Sequence, residues 1–199
     1  IDSDFLKKIQ RIHSPQKIDE AEEARSSLAF QELCAFYISI AKQKALSENK
    51  KPVRITRHTE MEDRMMAELP FILTNDQTHC VNEIFKDLEE PGPMNRLLQG
   101  DVGSGKTLVS ALIALSCAKS SLQVAVMAPT EILAEQHFVN FSSWFEPLGI
   151  KVASLSSQTA NKKAMEIKKA LRERHIDVLI GTHALIQESV EFGRLGLVI

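Results

Sequence analysis

Eight consecutive residues, Gly100, Asp101, Val102, Gly103, Ser104, Gly105, Lys106 and Thr107, constrain this chain more than any other stretch. They satisfy the spacing G-x-x-x-x-G-K-[ST], in which glycines let the backbone curl until several N–H groups converge on one point. That point suits phosphate oxygens, and a helix starting at the lysine adds the positive end of its dipole. Lys106 has the reach for the β- and γ-phosphates of ATP, while the Thr107 hydroxyl suits Mg²⁺. Four fixed positions arise by chance in roughly one chain in a hundred of this length, so the setting matters as much as the motif. Here Leu97 and Leu98 supply an apolar strand before the loop, and residues 108–118 supply a helix-length apolar run after it. The alternative is a glycine-rich turn that holds no nucleotide.

The flanking sequence decides the fold class. From residue 71 onward, short apolar runs at 96–99, 124–128, 152–155, 178–180 and 197–199 alternate with helix-like segments at 106–119, 131–144 and 161–172. Strands alternating with helices imply a parallel sheet covered by helices through right-handed crossovers. Residues 1–68 carry no strand pattern and read as helical, so the expected division is a helical segment at 1–68 and an α/β domain at 69–199. Within the helical part, Phe30, Leu33, Cys34, Tyr37, Ile38 and Ala41 recur at helical spacing and predict one packing face. A basic run follows, with Lys42, Lys44, Lys50, Lys51, Arg54 and Arg57 around a break at Pro52; it reads as a solvated face, with phosphate contact as the alternative. A second basic set, Lys162, Lys163, Lys168, Lys169, Arg172 and Arg174, is diluted by Glu166 and Glu173 and also reads as a solvated face.

Composition excludes several classes. The chain is 44% apolar with a formal net charge of −2, so it is not a disordered polyion, and any nucleic-acid contact must be local. Cys34, Cys80 and Cys117 lie far apart without C-x-x-C spacing, which argues against a disulfide framework or zinc site and favours a reducing, cytoplasmic setting. The longest apolar run is broken by Ser110 and Ser116 and falls short of the roughly 20 residues that cross a bilayer, so no membrane is expected. No signal peptide pattern is visible. Ile1 in place of Met and the apolar run ending at Ile199 read as the cut ends of a piece of a longer protein.

With the loop placed, the surrounding words become familiar. Residues 94–107 (MNRLLQGDVGSGKT) closely resemble the motif I region of the bacterial RecG family of ATP-dependent DNA helicases, in superfamily 2. Residues 128–137 (APTEILAEQH) resemble that family's motif Ia, residues 180–185 (IGTHAL) its next conserved loop, and residues 69–77 (LPFILTNDQ) the segment leading into the motor. The resemblance is strong over 69–199 and weak over 1–68. It implies a partial RecA-like P-loop domain preceded by the helical connection from a wedge domain that this chain lacks. It also implies a parent, monomeric, that couples ATP hydrolysis to translocation on branched or stalled-fork DNA in recombination and repair. The related transcription-repair coupling translocase shares the Gly-Asp-Val-Gly start and the Gly-Thr-His loop, but Ser104 and the 128–137 string favour RecG.

Individual residues carry two readings each. The resemblance makes Gln77 an adenine reader, whose amide can give and take hydrogen bonds on the base edge; Thr74 to Gln77 also spell T-x-x-Q, a helix capping box. Thr130 is either an N-cap or a DNA phosphate contact using the same geometry. Thr182 and His183 follow an apolar run at the strand end where open α/β sheets place ligands, so they are candidate DNA backbone contacts. His183 has a second reading as a packed loop histidine.

The acidic half of an ATPase is not found. Asp177 precedes its strand instead of following it, and the run at 197–199 has the texture of the missing acid's strand. This chain is therefore expected to bind ATP without turning it over alone. The competing function classes are a nucleotide-binding or interaction module without hydrolysis and an unrelated P-loop enzyme such as a small-molecule kinase.

Overall fold

The computed structural model describes residues 3–48, 54–70, 72–90 and 93–199. Lys50, Lys51, Pro52 and Phe71, and the side chain of Lys44, lie outside the described residues. The chain divides into two compact units, Ile1–Lys51 and Pro52–Ile199.

In the first unit, helices α1 (Ser3–His13) and α2 (Ile18–Glu48) pack on each other. No Gly or Pro occurs from Ile18 to Lys51, so nothing interrupts propagation of the long helix. The expected packing face on α2 is not packed. Phe30, Leu33, Tyr37, Ile38 and Ala41 are exposed, and only Cys34 is partly buried. The reason is length: α1 has 11 residues and α2 has 31, so α1 spans about 16 Å against about 46 Å. Burial on α2 is accordingly concentrated near its start, where Ala24 is buried.

The second unit carries α3 (Thr59–Ala67), α4 (Asn75–Glu89), α5 (Lys106–Lys119), β1 (Gln123–Met127), α6 (Glu131–Phe145), β2 (Val152–Leu155), α7 (Asn161–Arg172), β3 (Val178–Gly181) and β4 (Leu195–Val198). The sheet order is β2-β3-β1-β4 and every pairing is parallel, as the alternation predicts. Side chains alternate across the strands. Val124, Val126, Val178 and Ile180 join the core built with α4, α5 and α6, whereas Leu155 and Leu179 meet Ile167 and Leu171 of α7 on the other face. Helix α5 is apolar nearly all round because it touches α3, α4, α6, β1 and β4.

One expectation is corrected. Residues 96–99 form no strand: they make no ladder with β4, whose pairing is to β1. Arg96 is instead drawn onto α4 by Glu83 at 2.8 Å and Asp87 at 2.6 Å, leaving Leu97 exposed. Upstream of residue 69, Ile55 and Met65 are buried in the core of the second unit. Charged residues disguise this segment in the sequence, and the most buried of them, Glu62, is paired with Arg57 at 2.9 Å.

One buried amide organises the sheet's other end. Gln123 donates from Nε2 to the carbonyls of Leu171 (2.7 Å) and Ile176 (2.8 Å), while its Oε1 accepts from Arg194 N (2.8 Å). Three chain segments that lead into or away from strands are thereby tied to the start of β1, with each polar group satisfied.

Candidate nucleotide site and the C-terminal edge of the sheet

Helix α5 leads through a short turn into β1, which runs back alongside it, so the N-terminus of α5 lies at the C-terminal edge of the parallel strands. Open α/β sheets place ligands at this edge. Gly103 and Gly105 both sit at φ +82°, in the left-handed region that glycine adopts without a Cβ clash. Gly105 is the N-cap of α5, and a Cβ there would run into Nε2 of Gln77. A Cβ at Gly100 would meet Ser104 Oγ at 2.8 Å. At Gly103 nothing lies within 4 Å of a Cβ, so glycine is required there by backbone conformation and not by space. Lys106 Nζ bridges the carbonyls of Gly100 and Asp101, each at 2.7 Å. Its partners there are neutral carbonyls, so no carboxylate competes with an incoming anion. Thr107 stands in the first turn of α5.

The loop faces a cavity of about 420 Å³ lined by Thr74, Gln77, Cys80, Gln99, Ser104 and Lys106 among others. A larger hollow of about 580 Å³ lies between α6 and β2. It has neither a glycine cradle nor a cation on its walls, whereas the smaller one has both.

Gln77 enters this cavity from α4. The capping box is formed: Thr74 Oγ1 accepts from Gln77 N at 3.2 Å, and Gln77 Oε1 accepts from Thr74 N at 2.9 Å. The same side chain donates from Nε2 to the Ser104 carbonyl at 2.9 Å, a bridge from α4 into the phosphate loop that the sequence gives no hint of. A carboxamide offers two N–H donors and two acceptor lone pairs, so one of each is still uncommitted. Capping and base recognition therefore do not exclude each other.

A family model described as DEAD/DEAH box helicase matches residues 74–199, more than half of the chain. The chain belongs to the DEAD/DEAH box helicase family. Similar members include the ATP-dependent DNA helicase RecG of Synechocystis sp., 43% identical over 98% of this chain and 24% of the relative. RecG of Pasteurella multocida is 44% identical over 88% of this chain and 25% of that relative. The chain therefore spans about a quarter of the length of these curated relatives. A solved structure of RecG bound to a three-way DNA junction matches with a TM-score of 0.77 at 38% identity, covering 100% of this chain and 28% of that one. The likeness thus extends through residues 1–68, where the motifs alone are weak. A hypothetical ATP-dependent RNA helicase from Sulfolobus tokodaii, with a TM-score of 0.50 at 20% identity, shares the fold.

Thr130, Thr182 and His183 reach the same edge of this helicase domain. Thr130, exposed after β1, caps α6 by accepting from Leu133 N at 3.3 Å. Thr182, partly buried, follows β3 directly; it makes no side-chain cap bond, and His183 beside it is exposed. Since Met127 pairs with Gly181, these loops leave adjacent strands side by side. Burial lowers the pKa of His137, on α6, and its Nδ1 is buried with no hydrogen-bond partner among the described residues. Arg57 is not available to phosphate, because its guanidinium is committed to Glu62, Asn82 and the face of Phe85. The α7 lysines lie on an exposed face, where Lys169 and Arg172 meet Glu173 and Glu191. Asp177 uses its carboxylate to accept from Lys151 N at 2.8 Å. Among the described residues no three His, Cys, Asp or Glu side chains converge as a metal site, and no helix is long and apolar enough to cross a membrane.

Proposed function

We propose that this chain binds ATP, with Mg²⁺, at Gly100 to Thr107 and serves as the nucleotide-binding part of a RecG-type DNA motor that acts on branched or stalled-fork DNA in the cytoplasm. The observation that carries the reading is the loop itself: two left-handed glycines, a lysine held by neutral carbonyls, and a helix N-terminus beneath them. Magnesium, when bound, neutralises charge between the β- and γ-phosphates, and the Thr107 hydroxyl is the group in this loop suited to hold it. Lys106 exchanges its two carbonyl partners for phosphate oxygens. Gln77 offers its uncommitted N–H and lone pair to the adenine edge.

Thr130, Thr182 and His183 are proposed to meet the DNA backbone, since hydroxyls and helix N-termini along one sheet edge suit phosphate and carry no base code. Binding by this chain is expected to weaken with salt and show little sequence preference. Turnover needs an acid after an apolar strand, which the described strands do not supply, so the 199-residue chain is proposed to bind nucleotide without hydrolysing it.

The test is titration with a fluorescent ATP analogue, alongside phosphate release with and without forked DNA. Lys106→Ala should lower affinity on the order of 100-fold, the scale of two charge-assisted hydrogen bonds, with the fold unchanged by circular dichroism. Equal binding by wild type and variant would remove the phosphate-loop assignment. Brisk DNA-dependent phosphate release by the 199-residue chain would show that catalytic acids are present in another form.

A further inference from the structure

We propose that Arg57 and Glu62 form a brace that sets the spacing of α4 against α5 and thereby holds the Gln77–Ser104 bridge at the mouth of the nucleotide cavity. The proposal rests on the reading of that cavity as the ATP site.

The brace begins with a carboxylate in an unusual place. Glu62, on α3, is 6% exposed, and a buried carboxylate is costly unless it is both paired and hydrogen-bonded. Arg57 supplies the pair through Nε (3.1 Å to both oxygens) and a second nitrogen (2.9 Å). Its remaining nitrogen donates to Asn82 Oδ1 on α4 at 2.7 Å, and its guanidinium carbon lies 4.7 Å from the centroid of the Phe85 ring, also on α4. All three nitrogens of the planar fork and one of its faces are therefore engaged, which fixes the orientation of the side chain.

The opposite arm reaches α5. Ser116, fully buried in that helix, donates from Oγ to Glu62 Oε1 at 3.4 Å and accepts from His58 N at 3.1 Å. Four residues on, Ser120 Oγ accepts from Thr56 N at 3.1 Å. The extended segment before α3 is thus stapled to the far half of the helix whose first turn forms the phosphate loop, while its arginine grips the helix that carries Gln77.

Helices transmit this geometry because they are stiff over such lengths. Ser116 lies ten residues beyond Lys106, about 15 Å along α5, and Asn82 and Phe85 lie about 8–12 Å beyond Gln77 along α4. A bridge of 2.9 Å between Gln77 and Ser104 tolerates little relative sliding of the two helices. Isosteric apolar side chains would serve burial at this spot at least as well as an ion pair, so what the charged network adds is a fixed orientation between two helices.

The experiment uses the whole chain and two variants. Arg57→Lys keeps the charge but loses the fork, and Asn82→Ala, at an exposed position, severs only the α4 arm. Folding is checked by thermal melting. The readouts are the Gln77 side-chain amide signal in ¹H–¹⁵N spectra, assigned by its absence in Gln77→Ala, and the affinities for ATP and for inorganic tripolyphosphate. The expected result is a shift of the amide signal toward that of a free carboxamide, with ATP affinity down about fivefold, the worth of one hydrogen bond, and tripolyphosphate affinity little changed. A network that merely stabilises would lower the melting temperature in both variants and leave the amide signal and ATP affinity where they were. That outcome overturns the proposal. Failure of the wild-type chain to bind ATP would instead remove the nucleotide reading, and the amide signal would still decide whether the brace positions Gln77.

Discussion

Gln77 is the residue at which capping and ligand recognition can be separated, using two substitutions. Gln77→Ala removes two hydrogen bonds, to Thr74 N and from Nε2 to the Ser104 carbonyl, both at 2.9 Å and both at exposed positions. Exposed, neutral bonds of this kind contribute about 0.5–1 kcal/mol each, so the alanine variant should lose about 1–2 kcal/mol in urea unfolding. Gln77→Glu keeps an acceptor for Thr74 N and loses the donor, so about half of that loss is expected. Binding separates the roles further. A carboxylate accepts only and cannot give a hydrogen bond to a base. ATP affinity should fall about tenfold or more in either variant, the size of one to two hydrogen bonds to the base. GTP presents a different edge and should lose about threefold at most, through slackening of the loop. Fluorescence titration with both nucleotides reads the ratio directly. If ATP and GTP affinities fall together in both variants, Gln77 is a cap and a loop tether, and adenine recognition must be sought elsewhere.

Other parts of the structure make equally direct predictions. Gln123→Leu removes three hydrogen bonds and leaves the Ile176 carbonyl and the Arg194 N–H without this partner, while the Leu171 carbonyl keeps Arg174 N, so it should cost about 2–5 kcal/mol in denaturant unfolding; a loss under about 1 kcal/mol would mean that water or a shifted strand satisfies them. Cys117 is fully buried, its thiol pushed up to about 12 by burial, so it should react with a thiol reagent only on unfolding, whereas Cys80, on the cavity wall, should react in the native chain and be protected by ATP. Equal labelling of Cys80 with and without nucleotide would count against the assigned cavity. Burial lowers the His137 pKa, so the folded chain binds fewer protons than the unfolded one. Stability is full above the ordinary value of 6.5 and is lost as pH falls from there through the folded value. His137→Leu should therefore flatten the difference in unfolding midpoint between about pH 7.5 and about pH 5, and an undiminished difference would place the titration on another group.

Much of this molecule is legible in its sequence because the signals are local. The phosphate loop is encoded by glycines at the positions that require left-handed backbone, Gly103 and Gly105, and the lysine follows at once. The parallel sheet follows from apolar runs spaced by helix-length segments, and the limits expected for α5, β2 and α7 match those observed. The T-x-x-Q capping box at Thr74 is likewise a matter of four adjacent residues.

What tertiary structure alone decided concerns pairs far apart in the chain. Residues 96–99 have strand texture, yet a strand exists only where a neighbour completes its ladder, and ion pairs from Arg96 to α4 settle the segment elsewhere. Arg57 looks like part of a solvated basic run until Glu62, Asn82 and Phe85 converge on it. The stripe on α2 has the periodicity of a packing face, but periodicity specifies only that a face is apolar; whether it is covered depends on the reach of its partner, and α1 is too short. Gln77 shows both levels in one side chain. Its bond to Thr74 is written in a local motif, whereas its bond to Ser104 spans 27 residues and exists only because two helices pack side by side. Backbone preference acts within a few residues and can be read from the chain; solvation, charge pairing and ladder completion act between segments, and only folding brings those together.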